Sequence, residues 1–189
     1  MSMDSVAGGE KLTPGKRVAP FTVETLSHGA FRVPDAQVVH LQFRRYAGCP
    51  ICNSHLRSFR LRHDELVRAG VKTVAFFSST AEEMKPFQGD LPFATVPDPE
   101  RAWYAKFGVI DRSKLAGFHP SAAIAATKGI LSGRFKISLS NPMMDTLPGD
   151  LLIAPDGEVL AVKYGTHAND HWEVDDVLAL ARQYSRRQK

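Results

Sequence analysis

Between Val38 and Gly108 the chain repeats one pattern three times: a short apolar, β-branched run and then a segment with helical spacing. "VVHLQF" (38–43), "VKTVAFF" (71–77) and "FATVPD" read as strands, rich in Val, Phe and other residues that suit a buried pleated surface. After the first, Cys52, Leu56, Phe59, His63 and Leu66 recur at helical spacing from Pro50 to about Ala69, with Gly70 as terminator. After the second, a Ser or Thr cap precedes Glu82 and Glu83. After the third comes "PERAWYAKFG", with Pro99 near its start and Gly108 past its end. Alternation of this kind demands crossover connections and therefore parallel strands. "DLLIAPDGEVLAVKYG" then predicts a hairpin around a Pro-Asp-Gly turn, and "HWEVDDVLALARQYSRR" a closing amphipathic helix. The expected fold is an α/β sandwich of three layers, with a mixed sheet covered by helices on both faces.

At 189 residues and 43% hydrophobic composition the chain can bury one substantial core. We expect a flexible N-terminus over 1–16 and a single domain over 17–189. Within it, residues 110–147 form an insertion without a strong strand signal, "PSAAIAATKGIL" being compatible with helix. The insertion exceeds a minimal connection, and Phe118, His119, Phe135, Met143 and Met144 are candidates to line a groove there. A net charge of +4, from 24 basic against 20 acidic residues, is too balanced to indicate a nucleic-acid partner. The start of the chain lacks a secretory pattern and no stretch has the length of a membrane span, so no membrane association and a cytoplasmic location are expected.

Only two cysteines are present, Cys49 and Cys52, in "YAGCPIC". Two cysteines placed at random in a chain of this length fall three apart about one time in a hundred. A disulfide over so short a loop removes little entropy from the unfolded chain, and a reducing compartment does not favour structural bridges. Position adds to spacing: Cys49 stands where strand passes into helix, with Pro50 at the first helical position. Unpaired N–H groups at a helix start stabilise a thiolate, lowering a thiol pKa from about 8.5 to as little as about 3.5–7.5. Cys52, on the face of Leu56 and Phe59, should be the less exposed of the two and one turn away. The pair therefore reads as an attacking thiol, Cys49, and a resolving partner, Cys52.

The alternative use of the pair is a zinc site from Cys49, Cys52 and His55, with His167 or His171 drafted from a distance. It lacks the second ligand pair that structural zinc sites bring, so no metal and no cofactor are assigned. Haem attachment is excluded because Asn53, not His, follows the second cysteine, and no dinucleotide fingerprint is present.

A strand "VVHLQF", then "RRYAGCPIC" opening a long helix, then "DLLIAPDGEVLAVKYG", resembles the thioredoxin fold, and in particular the peroxiredoxin-like branch of the alkyl hydroperoxide reductase and thiol-specific antioxidant (AhpC/TSA) superfamily. The resemblance covers roughly residues 17–182, with "APFTVETLSHG" similar to the N-terminal extension of that superfamily. It implies thiol-dependent reduction of a peroxide or a disulfide, a thioredoxin- or glutathione-type electron donor, and possible homodimers. The peroxiredoxin motif Pro-x-x-x-Thr(or Ser)-x-x-Cys is met in neither register. Counting back from Cys52 places Cys49 and Arg45 at its Thr and Pro positions, and counting back from Cys49 places Tyr46 and Gln42 there. Nine residues before the hairpin glycine, Gly157, peroxiredoxins carry an Arg and thioredoxin-like reductases a cis-proline. Here the residue is Pro148, which implies dithiol chemistry and a cis bond at Leu147–Pro148, with Pro148 and Tyr46 bordering a substrate groove; the alternative is an ordinary trans loop proline in "DTLPGD".

The hairpin topology brings "GTHANDH" to the same end as the cysteines. His167, Asp170 and His171 are thus candidates for tuning or proton transfer, and Trp172 for a wall. The alternative is that Asp170 caps the last helix and the histidines are solvated. His55 and Arg45 complete the tuning candidates, with Arg44 and Arg45 either supporting a thiolate or simply solvated. A rival reading within the fold makes Cys52 the peroxidatic sulfur and Cys49 the resolving one. A rival from another class is a non-catalytic binding module or structural zinc protein.

Overall fold

A computed structural model describes residues 11–109 and 146–188. Two short strands, β1 (Phe21–Glu24) and β2 (Ala30–Val33), form an antiparallel hairpin of their own. The main sheet contains β3 (Val38–Phe43), β4 (Val71–Phe77), β5 (Ala94–Pro97), β6 (Gly149–Ile153) and β7 (Val159–Tyr164), in the order β5-β4-β3-β6-β7. Strands β3, β4 and β5 run parallel, while β6 and β7 are antiparallel additions beside β3. The mixed sheet expected from strand–helix alternation plus a terminal hairpin is thus present, with "VVHLQF" at its centre.

The helices are α1 (Pro50–Leu61), α2 (His63–Arg68), α3 (Ala81–Gln88), α4 (Ala102–Lys106) and α5 (Val174–Arg187). The single helix expected over 50–69 is divided at Arg62, whose φ of −110° and ψ of 19° interrupt the ladder. Arg62 is held in that position by its side chain, which donates to both carboxylate oxygens of Glu65 (2.9 and 2.8 Å) and to Asp175 on α5 (2.7 Å). Thr80 caps α3 in a reciprocal box with Glu83, as its sequence predicts. Helix α4 begins at Ala102, later than Pro99 suggests, because the Asp98 carboxylate accepts from the N–H groups of Ala102 (3.0 Å) and Trp103 (2.9 Å).

Strand alternation assigns the two faces of β3. Val39, Leu41 and Phe43 point into a cluster with Val74, Phe76, Leu151 and Ile153, closed by Phe21, Val23, Tyr104 and Phe107. On the opposite side Leu56 and Phe59 of α1 pack with Val177, Leu178 and Ala181 of α5 and with Phe77 and Leu152 of the sheet. Each such side chain contributes about 1.5–3 kcal/mol by leaving water.

Residues ahead of β1 run beside the hairpin: Val159 N–H donates to Lys16 O (2.8 Å), Gly15 N–H to Val159 O (2.9 Å), and Leu12 N–H to the Tyr164 hydroxyl (2.7 Å). The expected boundary at residue 17 therefore lies inside a hydrogen-bonded segment. Val109, which follows α4, lies against Gly149 at the start of β6, and residues 110–145 of the predicted insertion are outside the described residues. They include the helix-compatible stretch and Phe118, His119, Phe135, Met143 and Met144.

Candidate active site

Strand β3 ends between parallel β4 and antiparallel β6, and its continuation is anchored by hydrogen bonds. The Tyr104 hydroxyl meets the carbonyls of Arg44 and Phe76, Ser78 donates through N–H and Oγ to Arg45 O (2.9 and 2.6 Å), and Ala47 N–H donates to Ser79 Oγ (3.0 Å). From this fixed root the chain turns at Tyr46–Cys49, closed by Cys49 N–H to Tyr46 O (3.2 Å), with Gly48 at φ 75° in the left-handed region the turn requires. Cys49 is then the N-cap of α1 and Pro50 its first residue.

The two thiols are free, and they are electrostatically unlike. A hydrogen bond from Cys52, opposed by burial but aided by the Arg45 guanidinium and the N–H groups of Cys52 and Ile51, lowers the Cys49 thiol to about 6. The same hydrogen bond, with burial and the Cys49 charge, pushes the Cys52 thiol well above its ordinary value. The pair is therefore polarised, with the thiolate favoured on Cys49 and the proton on Cys52. One expectation is corrected: Cys49, at 1% exposure, is no more open than Cys52 at 3%. The turn folds the cap inward against the core that holds Ile51 and Leu56, so position at a helix start does not confer exposure here.

Arg45 is buried, with its guanidinium 5.5 Å from the Tyr46 ring, and neither Nε nor Nη2 has a hydrogen-bond partner. Burial and the Cys49 charge raise the Tyr46 phenol, consistent with its place beside the thiolate. Arg44 is equally enclosed, so neither arginine is solvated. Its Nη2 and Nη1 donate to Asp150 Oδ1 (2.7 Å) and Oδ2 (3.3 Å), and its Nε donates to Gln42 Oε1 (3.0 Å). His40 Nε2 stands 2.9 Å from Asp150 Oδ1. Burial alone would raise Asp150, but Arg44 and His40 outweigh it and hold the carboxyl well below the usual carboxylate range. Of this buried set only Arg44 is a sequence candidate, and the sequence does not connect it to His40, Gln42 or Asp150.

The loop after β7 does come to α1. His55 of α1 lies against His171 with ring centroids 3.6 Å apart and the rings tilted by 40°, and its Nε2–H donates to Trp172 O (2.8 Å). Both imidazoles are buried rather than solvated, and burial with the Arg44 charge pushes both below their ordinary values, His171 to about 3. His167 instead serves the loop, accepting from Asn169 N–H (3.2 Å). Asp170 does not cap α5: it accepts from Thr166 and pairs with Lys163 (2.7 Å), while Glu173 forms the cap in a box with Asp176. Pro148 immediately precedes Gly149, which pairs with Phe43, so it sits at the cysteine end of the sheet. Its bond to Leu147 is trans; the cis peptide among the described residues joins Val33 to Pro34. Instead of shaping a cis-proline groove, Pro148 accepts from Gly165 N–H (2.9 Å) and locks the histidine loop to β6.

The span that carries the sheet and the thiol pair is matched by a family model: that of the AhpC/TSA family covers residues 14–162. The chain belongs to the AhpC/TSA family. As an AhpC/TSA protein it is a thiol-dependent oxidoreductase with a thioredoxin-like fold, as the sequence resemblance implies. No curated protein sequence matches it significantly. Among solved structures it is similar to the peroxidoxin BcpB from Mycobacterium tuberculosis, at 19% identity over 91% of this chain and 97% of that one, with a TM-score of 0.65. It is also similar to a yeast mitochondrial 1-Cys peroxiredoxin described with glutathione/thioredoxin resolving systems (12% identity, 94% and 78% covered, TM-score 0.69). A third is the reduced 2-Cys peroxiredoxin of Plasmodium vivax (12% identity, 94% and 84% covered, TM-score 0.67). Among the described residues of this AhpC/TSA protein no helix is long and apolar enough to cross a membrane.

Proposed function

We propose that this AhpC/TSA protein is a peroxide reductase in which Cys49 attacks and Cys52 resolves. The observation that carries the reading is the opposite tuning of the two sulfurs: Cys49 is lowered at the helix cap beside Arg45, and Cys52 is held protonated one turn further in. A sulfur with 1% exposure is reached by a small peroxide more readily than by a protein disulfide. The Cys49 thiolate attacks the terminal peroxide oxygen, the O–O bond breaks, and Cys49 becomes a sulfenic acid while the alkoxide or hydroxide takes a proton. With the Cys49 charge gone, Cys52 gives up its thiol proton and displaces hydroxide from the Cys49 sulfur; the Cys49–Cys52 disulfide forms and that proton and the hydroxide leave as water.

A dithiol or glutathione-type donor returns both sulfurs to thiols by two-electron exchange. The unbonded Nε–H and Nη2–H groups of Arg45 are available to the peroxide oxygens, a charge-assisted contact that strengthens as negative charge develops. The proposed compartment is the cytoplasm, where such donors keep thiols reduced.

The test is to mix wild type, Cys49→Ser and Cys52→Ser with hydrogen peroxide and trap sulfenic acid. Cys52→Ser should accumulate it on Cys49, and Cys49→Ser should react at least 100-fold more slowly. Rapid sulfenic acid on Cys52 in the Cys49→Ser protein would reverse the roles. Reaction with a model disulfide alone would instead make the protein a disulfide reductase.

A further inference from the structure

Three side chains outside the thiol pair converge where α1, the loop after β7 and the start of α5 meet. His55, His171 and Glu173 each present a donor atom, and these atoms lie within 4.8 Å of one another. His171 Nδ1 is 3.7 Å from Glu173 Oε1, too far for a hydrogen bond. Among the described residues neither nitrogen of His171 has a partner, and neither does His55 Nδ1, although the two residues are only 8% and 5% exposed. Buried polar atoms are almost always bonded, since an unmade bond forfeits the interaction with water and gains nothing. Two buried imidazoles in contact, with three idle nitrogens, therefore require an explanation beyond packing.

The tautomer of one ring is fixed by its surroundings. His55 Nε2 faces the Trp172 carbonyl at 2.8 Å, and a carbonyl only accepts, so Nε2 carries the proton and the Nδ1 lone pair is free. An imidazole that donates one N–H to a backbone carbonyl and keeps its other nitrogen as a base is oriented as metal-bound histidines are. The nearby Arg44 charge is matched by Asp150, which leaves Glu173 as the uncompensated anion at the cluster.

From this juxtaposition we infer that His55, His171 and Glu173 bind a first-row divalent transition ion, zinc in the first instance, at a site separate from the cysteines. Two imidazole nitrogens and one carboxylate oxygen are a common zinc donor set, completed by water or a substrate atom. Bonds of about 2.0–2.2 Å at tetrahedral angles place donor atoms about 3.3–3.6 Å apart, so the widest separation in the cluster closes by up to about 1.5 Å on binding. Glu173 supplies that movement, because its side chain is 61% exposed while both imidazoles are enclosed. The sequence reading assigned no metal, having weighed a set built on Cys49 and Cys52. The folded chain instead assembles donors that leave both thiols free for chemistry. The ion ties α1, three residues past Cys52, to the β7–α5 loop.

The test uses the full chain carrying Cys49→Ser and Cys52→Ser, so that thiolates cannot supply the ligands. Cobalt(II) titration should give one equivalent bound, with visible absorption that zinc displaces, and saturating zinc should raise Tm by several degrees through preferential binding to the native state. Glu173→Gln, which keeps an acceptor for the helix cap, and His171→Ala should each weaken cobalt binding at least tenfold. Absence of stoichiometric cobalt or zinc binding in the thiol-free protein would overturn the proposal. So would unchanged affinity in folded Glu173→Gln and His171→Ala.

Discussion

Arg44 Nη2 lies 2.7 Å from Asp150 Oδ1 in a part of the core where the two side chains are 1% and 0% exposed. The pair crosses from β3 to β6 under α1, and His40 and Trp172 N–H complete the shell around the same carboxylate. Two charges this deeply enclosed are tolerated because each answers the other; removing one leaves its partner stranded.

Asp150→Ala should therefore destabilise the protein by about 3–5 kcal/mol, far more than the loss of a surface ion pair. The double variant Arg44→Met, Asp150→Leu should recover much of that loss, since it removes both charges and restores volume. Urea unfolding of the wild type, the single variant and the double variant measures both effects.

Peroxide reactivity should follow the protonation of Cys49. Its lowered value of about 6 predicts a rate that is flat above pH 7 and half-maximal near pH 6, falling as the thiolate is protonated. Arg45→Met removes a positive charge beside the sulfur, so the midpoint should move upward, toward the ordinary thiol value of about 8.5. At pH 7 the variant should then react several-fold more slowly. Stopped-flow rates across pH 5–9 separate this shift from a general loss of activity.

Acid stability should report the buried histidines. His40, His55 and His171 are all held below their ordinary values, chiefly by burial, so in the unfolded chain they take up protons near pH 6.5 while in the folded chain they do not. Between pH 6.5 and 5 the unfolded state binds more protons, and stability falls with falling pH by up to about 1.4 kcal/mol per pH unit for each histidine. Carboxylates contribute mainly below that window. Denaturation at half-unit intervals should show this slope, and His171→Gln should reduce it by up to one histidine's share.

Gly165 should resist substitution although it needs no unusual φ. A Cβ there would stand 2.5 Å from Asp170 O and 2.9 Å from Pro148 O, both backbone atoms that cannot step aside cheaply. Gly165→Ala should cost about 1–3 kcal/mol, in the range of overpacked sites, read as a lowered Tm with the histidine loop displaced from β6.

Local signals carried most of the fold. Pro50 after a strand, the Thr80 and Glu83 box and the Pro-Asp-Gly turn each act within a few residues, and each element lies where those residues place it. The cysteine pair was legible for the same reason. What escaped was the buried polar stripe. His40, Gln42 and Arg44 alternate with Val39, Leu41 and Phe43, a pattern that ordinarily marks a solvent face. Here α1 and α5 cover it, and the balancing charge, Asp150, is 106 residues from Arg44. The available signal was an Asp opening an otherwise apolar hairpin strand. The trans bond at Pro148 and the burial of Cys49 were likewise outside local reach, since tertiary contacts decide both.

The Tyr104 hydroxyl, joined to the carbonyls of Arg44 and Phe76, marks where the cysteine loop stops being able to move. Upstream of it the backbone belongs to the sheet; Ser78 and Ser79 extend that hold to Ala47. Beyond Ala47 lie the left-handed Gly48 and a helix cap with no side-chain hydrogen bond of its own. A catalytic cycle that must admit an oxidant to an enclosed sulfur, and then join it to Cys52, thus has its hinge defined by what is not fastened. Among the described residues no hydrogen bond joins a strand to the first turn of α1, so opening the pair there would leave the sheet paired and place the demand of turnover on the packing of Ile51 and Leu56.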